Sequence, residues 1–586
     1  MILQALYDYY ERCKESLPPI QMAFVNFKYA ILIDEDGNFK GLEDLGDEDG
    51  VTLLTLRPEE RTSAPVPHCL GDNGSYVLGI KDAKPDQHLD VVAELKKNKK
   101  NHDAFRKEID ALYKALPNNR YTKAVYLFYQ RYNAEVIEEM RNDVNWGGLC
   151  KSLSKNITFR ICGDKSLAAS DDEVLKYKID SMVNDNEPML CLVTGEKVKP
   201  VSTTYSTFIL GGKSNAKLVS FQESSGYDSY GKKKGLNAPI SEEAEFKYTT
   251  ALLGMLSRQS RNRFTIGDRT FVFWASKNDE AGQKAEESIF NMFGFVEQED
   301  DPNRNIEQVR KVFEAIYKGD IKTSSDDTFY ILGLAPNAAR IAVVYWAEIP
   351  LREFAGTIRR HFYDMEVVTR LEKKTYMSLR SILSAVTLGG KVSDATPNLP
   401  DAVVKSIFQG IPYPQPLLAS CIRRIRAENS KDKYEEAFRK GYITTRAAII
   451  KAYLNRINNN QEIDKKMDKD NTNQGYLCGR LFAVLDKIQE EANNQHSIRE
   501  RYMNSASATP AAVFATILNL SNHHVENLKN EGRKIYFEKL KQEIMSKIDA
   551  DGFKAQLDLQ DQGRFFIGYY HQRQDFFTKN EDNNNE

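Results

Sequence analysis

The chain has 586 residues, 41% of them hydrophobic. That is more than one core keeps absorbing, so at least two folded units are expected. Lys and Arg total 81 against 83 Asp and Glu, so no overall cationic field draws in a nucleic acid, and any such partner must be met by local basic patches.

No run approaches the length of apolar residues that a spanning helix needs. The opening MILQALYDYYERCK mixes acids and bases with no apolar stretch, so no secretory leader is expected. The seven cysteines (Cys13, Cys69, Cys150, Cys162, Cys191, Cys421 and Cys478) include no C-x-x-C pair. This speaks against a zinc ribbon and for reduced thiols in a cytoplasmic protein.

In chain order, Ile2, Leu3, Leu6, Tyr7 and Tyr10 recur at helical spacing. Met22 to Ile33 is rich in β-branched and aromatic residues and predicts a strand. Asp34-Glu35-Asp36-Gly37 predicts a turn, and Phe39 to Leu45 and Val51 to Leu56 predict further strands. Residues 94 to 140 read as charged helix, and 190 to 221 as strand and hairpin. A second set of strands is expected at Thr270 to Trp274, Phe329 to Leu332 and Ile341 to Trp346.

From about residue 355 helix dominates. Leu481, Leu485, Ile488 and Ala492 form one stripe. Thr509-Pro510 predicts a helix start ahead of Phe514, Ile517, Ser521, Val525 and Leu528. Tyr536, Leu540 and Ile544, then Phe565, Tyr569 and Phe576, make two more stripes, which together imply a helical bundle. The polar run Asn458 to Gln474 reads as the linker before it, and NEDNNNE at the end as frayed. The expected class is α+β: a β-rich N-terminal region, a mixed central body and a C-terminal α-helical bundle. The expected domains are 1–466 and 467–586.

Motifs for chemistry fall short. Gly212-Lys213-Ser214 has the ending of a phosphate loop, but its leading glycine is replaced by Thr207. Asp34, Asp36 and Asn38 imitate a calcium loop until Phe39 takes the place of the glycine. His102-Asp103 is the dipeptide of metal-dependent phosphohydrolases, yet the eight histidines are scattered, and adjacent His523 and His524 splay apart on a helix. No catalytic residue, metal or cofactor is expected.

Basic clusters are the positive signal. Lys96, Lys97, Lys99, Lys100, Arg106 and Lys107 crowd one segment. Lys232, Lys233 and Lys234 lie in a glycine-flanked loop beside Tyr227 and Tyr230. Arg258, Arg261 and Arg263 are spaced to share a helix face, and Arg359-Arg360 and Arg423, Arg424 and Arg426 follow. Each cation that neutralises a phosphate releases counterions, so such groups suit a nucleic-acid backbone. The competing reading is a solvated face balanced by acids.

Longer strings carry more. CLGDNGSYVLGI (Cys69 to Ile80), LCLVTGE (Leu190 to Glu196), LVSFQESSGYDSYGKKKGLNAPIS (Leu218 to Ser241), YILGLAPNAARIAVVYW (Tyr330 to Trp346), YLCGRLFAVLDKIQ (Tyr476 to Gln489) and GRFFIGYYHQRQDFF (Gly563 to Phe577) run in order along the chain. Together with the N-terminal MILQALYDYYER they resemble the large subunit of the subtype I-C CRISPR surveillance complex, Cascade.

The resemblance implies a non-enzymatic role. A guide CRISPR RNA supplies most sequence specificity, while the protein reads a short flanking motif, the PAM, in double-stranded DNA. It also implies help in strand separation, a platform for a recruited helicase–nuclease, and Cascade backbone, handle-binding and small subunits as partners. Gly71, Asn73, Gly74 and Ser75 are the expected PAM-reading loop, since glycines let backbone approach a groove and Asn can donate and accept. A plain hairpin turn is the competing reading. Lys232, Lys233, Lys234, Arg258, Arg261 and Arg263 are further DNA-binding candidates, with Arg480, Arg564 and Arg573 for the displaced strand. In this family the small subunit can arise by internal translation, and Met467 is positioned for such a start. The alternatives are a metal-dependent nuclease built on His102-Asp103, and a protein scaffold that meets DNA only incidentally.

Overall fold

The computed structural model describes all residues except 1, 62–63, 82, 84–89, 224–227, 229, 294–305, 370–376, 397, 458–461, 495 and 578–586. Tyr227, part of the expected linker and the polar tail lie outside the described residues. Met1–Phe208 with Lys213–Gly254 form one compact unit, and Ile209–Gly212 with Met255–Glu586 a second.

The first unit opens with α1 (Ile2–Cys13), which buries Ala5, Leu6 and Tyr10. The predicted strands follow: β1 (Met22–Ile33), β2 (Phe39–Asp44) and β3 (Val51–Leu56). The Asp34 turn is an ordinary one. Its carboxylate accepts the Asn38 N–H at 2.8 Å and pairs with Lys40 at 3.1 Å. Next come β4 (Gly71–Asn73), α2 (Gly74–Val77), α3 (Val91–Lys97), α4 (Lys99–Ala115), α5 (Arg120–Arg131), α6 (Ala134–Arg141), α7 (Trp146–Lys151) and β5 (Asn156–Ile161).

The sheet order is β2-β1-β5-β4, with β3 also paired to β1. β5 runs parallel to β1, which requires a long crossover, and α2 to α7 supply it. Tyr29, Ile31, Ile33, Ile157, Phe159 and Ile161 pack with Phe105, Ile109, Val125 and Phe128 of the crossover helices into one core.

The 190–221 segment departs from expectation. It holds only the two-residue strands β6 (Met189–Leu190) and β7 (Lys197–Val198). Beyond them, isolated backbone bonds such as Thr207 N–H to the Ala216 carbonyl at 2.7 Å are supplemented by side chains: Thr204 Oγ1 donates to the Val219 carbonyl, and Lys217 to Glu60 and the Thr204 carbonyl. After α8 (Asp172–Asp180), this unit closes with most of α9 (Glu242–Leu256).

The second unit is built on an antiparallel sheet of order β11-β10-β9-β8, from β8 (Arg263–Ile266), β9 (Arg269–Ala275), β10 (Thr328–Asn337) and β11 (Arg340–Pro350). One face packs under α10 (Glu280–Phe293), α11 (Ile306–Lys318) and α12 (Leu351–Met365) through Phe273, Phe329, Ile289, Phe313 and Phe354. On the strands Tyr330 stacks on Trp346, and the Trp274 ring packs tilted against both.

The same hydrophobic core continues through α13 (Leu379–Val386), α14 (Leu399–Gln409), α15 (Gln415–Ala427) and α17 (Tyr442–Ile457), with α16 (Lys431–Arg439) packed beside α17. It then passes into α18 (Gln474–Asn493), α19 (Ser497–Ala506), α20 (Pro510–Glu526), α21 (Glu531–Met545) and α22 (Leu559–Asp575). The expected boundary at 466/467 therefore falls inside this unit; Tyr570 of α22 donates to the Val368 carbonyl at 2.7 Å. The class is α+β, with a sheet-bearing N-terminal region and a helical C-terminal region. Among the described residues no helix is long and apolar enough to cross a membrane.

Candidate nucleic-acid interface

Residues 71–75 are neither an open loop nor a hairpin turn, which corrects the local geometry expected from the sequence. Gly71 to Asn73 form β4, antiparallel to β5, and Gly74 begins α2. Gly71 is glycine because a Cβ there would lie 2.6 Å from the Phe27 ring and 3.0 Å from the Ile157 oxygen. At Gly74 a Cβ would lie 2.6 Å from Leu153 and 2.7 Å from the Ile80 oxygen. Both glycines serve close packing. Gly71, Gly74 and Ser75 are buried, and only Asn73 is part-exposed.

Asn73 caps α2. Its Oδ1 accepts the Ser75 N–H at 3.1 Å and the Ser75 hydroxyl at 2.7 Å. Those two bonds take up the oxygen and leave Nδ2 as the available donor. Asp72 does not face solvent: it is 0% exposed, pairs with Arg61 and accepts the His68 N–H at 2.9 Å. Arg61 stacks 4.1 Å over the Tyr76 ring. Burial pushes the His68 imidazole below its ordinary range, against the pull of Asp72. A carboxylate neutralised inside the fold no longer opposes a phosphate outside it.

Around this end of the sheet, Lys96, Lys97, Lys99 and Lys100 are all exposed, on two helices broken at Asn98 rather than one. Arg106 instead turns inward to the Tyr129 carbonyl at 3.3 Å.

Lys232, Lys233 and Lys234 are exposed. Lys233 and Lys234 reach Glu223 at 3.6 and 3.2 Å, and the Lys234 hydrogen bond, with the charges of both lysines, holds its carboxyl below the usual range. The glycine-flanked loop is tied down: Asn237 Nδ2 donates to the Lys232 and Lys234 carbonyls at 3.2 and 3.1 Å, and the Gly235 N–H to the Ser202 carbonyl at 3.0 Å. Tyr230 stands 99% exposed beside them.

The other arginine groups are corrected by the structure. Arg258, Arg261 and Arg263 share no helix, because α9 ends at Leu256, whose carbonyl accepts from Arg263 at 3.0 Å. Arg263 is already in β8, Arg258 is exposed in the connection, and Arg261 lies 3.8 Å from Glu287. Arg480, Arg564 and Arg573 form no outward face. Arg480 is 0% exposed and donates to Gln572 at 3.1 Å and to Glu543 at 3.2 Å. Arg564 grips Glu462 and Asp561, and Arg573 holds Glu490 at 2.7 Å. Each is committed to an acid that packing brings alongside it. Arg359 lies 3.8 Å from Glu314, and Arg424 pairs with Glu428. Met467 lies in the irregular segment ahead of α18.

His102 is a core residue, 5% exposed, with Nδ1 2.9 Å from the Tyr76 carbonyl and its ring against Tyr129 and Tyr132. Burial pushes its imidazole below the ordinary value. Among the described residues no three His, Cys, Asp or Glu side chains gather as metal ligands.

Among known families, the chain matches the one described as CRISPR-associated protein (Cas_Csd1), across residues 6–577. No curated protein matches the chain.

Proposed function

Given that the chain belongs to the Cas_Csd1 family of CRISPR-associated proteins, we propose that it is the non-catalytic large subunit of a type I-C RNA-guided surveillance complex, which reads the PAM in double-stranded DNA. The family match over nearly the whole chain carries this reading. In it, pairing to the guide RNA selects the target, while the protein checks the flanking duplex, helps open it and offers a platform for the helicase–nuclease that cuts. The rim around Asn73 supports base reading, since a donor amide held by a cap on a packed strand is rigid enough to discriminate. Strand holding falls to the Lys232–Lys234 loop, whose cations stand beside the exposed Tyr230 as a stacking surface. The nuclease alternative rests on His102-Asp103, of which His102 is buried in the core.

The test is DNA binding by the complex assembled with guide RNA and its partner subunits. Targets with and without the flanking motif are compared for wild type, Asn73→Ala and Asn73→Ser. Serine keeps the cap and removes the amide donor, so a weakened cap, worth about 1 kcal/mol, is separated from a loss of reading. Both variants are expected to lower PAM-dependent affinity by about 1–3 kcal/mol. Wild-type binding indifferent to the flanking motif would end the PAM proposal.

A second expectation concerns Lys232, Lys233 and Lys234. Replacing all three with alanine should weaken binding to every sequence alike. It should also make the salt dependence shallower, by about one unit of slope for each phosphate that is no longer neutralised. An unchanged slope would remove the loop from the DNA path.

A further inference from the structure

Asn156 opens β5 directly opposite Asn73 in the antiparallel β4–β5 register. Side chains so paired leave the sheet on one face, with Cβ atoms about 5 Å apart. Both residues are part-exposed, while their neighbours Asp72 and Ile157 are fully buried. The two amides are held in opposite senses. Asn156 Nδ2 donates to the Asn26 carbonyl at 3.0 Å, which turns Oδ1 away from β1. Asn73 spends Oδ1 on Ser75, which leaves Nδ2. Among the described residues neither Asn156 Oδ1 nor Asn73 Nδ2 has a hydrogen-bond partner. The end of the sheet thus presents a fixed acceptor beside a fixed donor.

Two exposed lysines lie close in sequence to residues that touch this strand end. Lys100 precedes Asn101, whose Nδ2 donates to Ser75 Oγ at 3.1 Å. Lys151 ends α7, just before Leu153, whose carbonyl accepts the Gly74 N–H at 2.8 Å. Polar atoms that could be solvated equally well in any rotamer are here oriented by hydrogen bonds to the backbone. That arrangement suits the edge of a base pair between two phosphate strands.

We propose that Asn156 is a second specificity-determining residue. Its Oδ1 accepts from an exocyclic amine of a flanking base pair, while Asn73 donates to a neighbouring acceptor. This inference rests on the PAM-reading role proposed above.

The experiment uses the assembled, guide-loaded complex, titrated against duplexes carrying each base at each flanking position, with wild type, Asn73→Ser, Asn156→Ala and Asn156→Ser. A guide-matched single strand, which has no flanking duplex to read, reports pairing alone. The expected result is that both Asn156 variants assemble, bind the single strand as wild type does, and lose about tenfold of discrimination at one flanking position. If both keep the wild-type preference everywhere while Asn73→Ser loses it, the inference is overturned and the PAM reading stands. If all three variants keep a clear wild-type preference, base reading lies elsewhere and the inference falls too. A wild type with no preference overturns the PAM reading itself. If Asn156→Ala weakens duplex and single-strand binding equally and Asn156→Ser restores wild-type discrimination, Asn156 is a strand-end support only, which also overturns the inference.

Discussion

Gly479→Val is expected to unfold the helical unit at temperatures where the wild type is intact. α18 and α22 meet backbone to backbone. A Cβ at Gly479 would lie 2.8 Å from the Phe565 carbonyl carbon and 2.9 Å from the Tyr569 nitrogen, with the Phe565 oxygen closer still. One turn earlier, at Gly475, it would lie 2.5 Å from the Asp561 oxygen. None of these atoms ends a flexible side chain, so the helices must separate. Separation also breaks the ring contacts of Phe482 with Phe565 and Tyr569, at 5.7 and 6.0 Å. Overpacking a close helix pair in this way exceeds the usual range for added methylenes. A loss of about 4 kcal/mol or more is expected, against about 5–15 kcal/mol for a whole domain. Thermal unfolding followed by helical circular dichroism checks it. A midpoint within a degree or two of wild type would show that the helices can part cheaply.

The second large effect belongs to Asp486. It is 0% exposed, accepts the Tyr569 hydroxyl at 2.8 Å, and lies 3.4 Å from His496 Nδ1 and 3.7 Å from Arg573. Arg499, 1% exposed, sits 3.9 Å over the Tyr434 ring in the same cluster. Burial pushes the Asp486 carboxyl up, but the His496 bond and the charges of Arg573 and Arg499 outweigh it and hold the carboxyl below its usual range. Asp486→Ala leaves these buried cations without their central counter-charge, at a cost of about 3–5 kcal/mol. Asp486→Asn keeps a hydrogen-bond acceptor for Tyr569 and should lose less.

The pH dependence follows from the lowered folded value. The stability contributed by Asp486 is fully present above the unfolded carboxyl range, near pH 4. It is lost as pH falls through the lower folded value. The gap between wild type and Asp486→Asn should therefore narrow as pH falls through the folded carboxyl value. Parallel curves down to low pH would mean that the carboxylate is not what the arginines hold.

Both predictions concern features with no clear local signature, and the same division runs through the molecule. β1 and β3 begin and end where their β-branched and aromatic runs do. α18 and α20 follow stripes visible in the sequence. Period and propensity are properties of neighbouring residues, so the chain displays them without its fold. Family membership was legible too, because long strings in order are specific where short motifs are not. The 71–75 segment misled because glycine and asparagine usually mark turns. Here Phe27 and Leu153, distant in sequence, leave no room for a Cβ. The spacing of Arg258, Arg261 and Arg263 suggested a shared face on a helix that ends at Leu256.

Arg480, Arg564 and Arg573 counted as free cations until packing set acids beside them. On a helix as enclosed as α18, spacing cannot say which side is outward. Asn156 had no signal of its own, since only the β4–β5 register places it against Asn73. By itself, then, the sequence determined the family, the class and most of the elements, because these depend on local pattern and on wording. Only the tertiary structure decided which polar groups are spent inside and which remain at the surface, because a charge or an amide is satisfied by whatever the fold brings within about 3 Å of it.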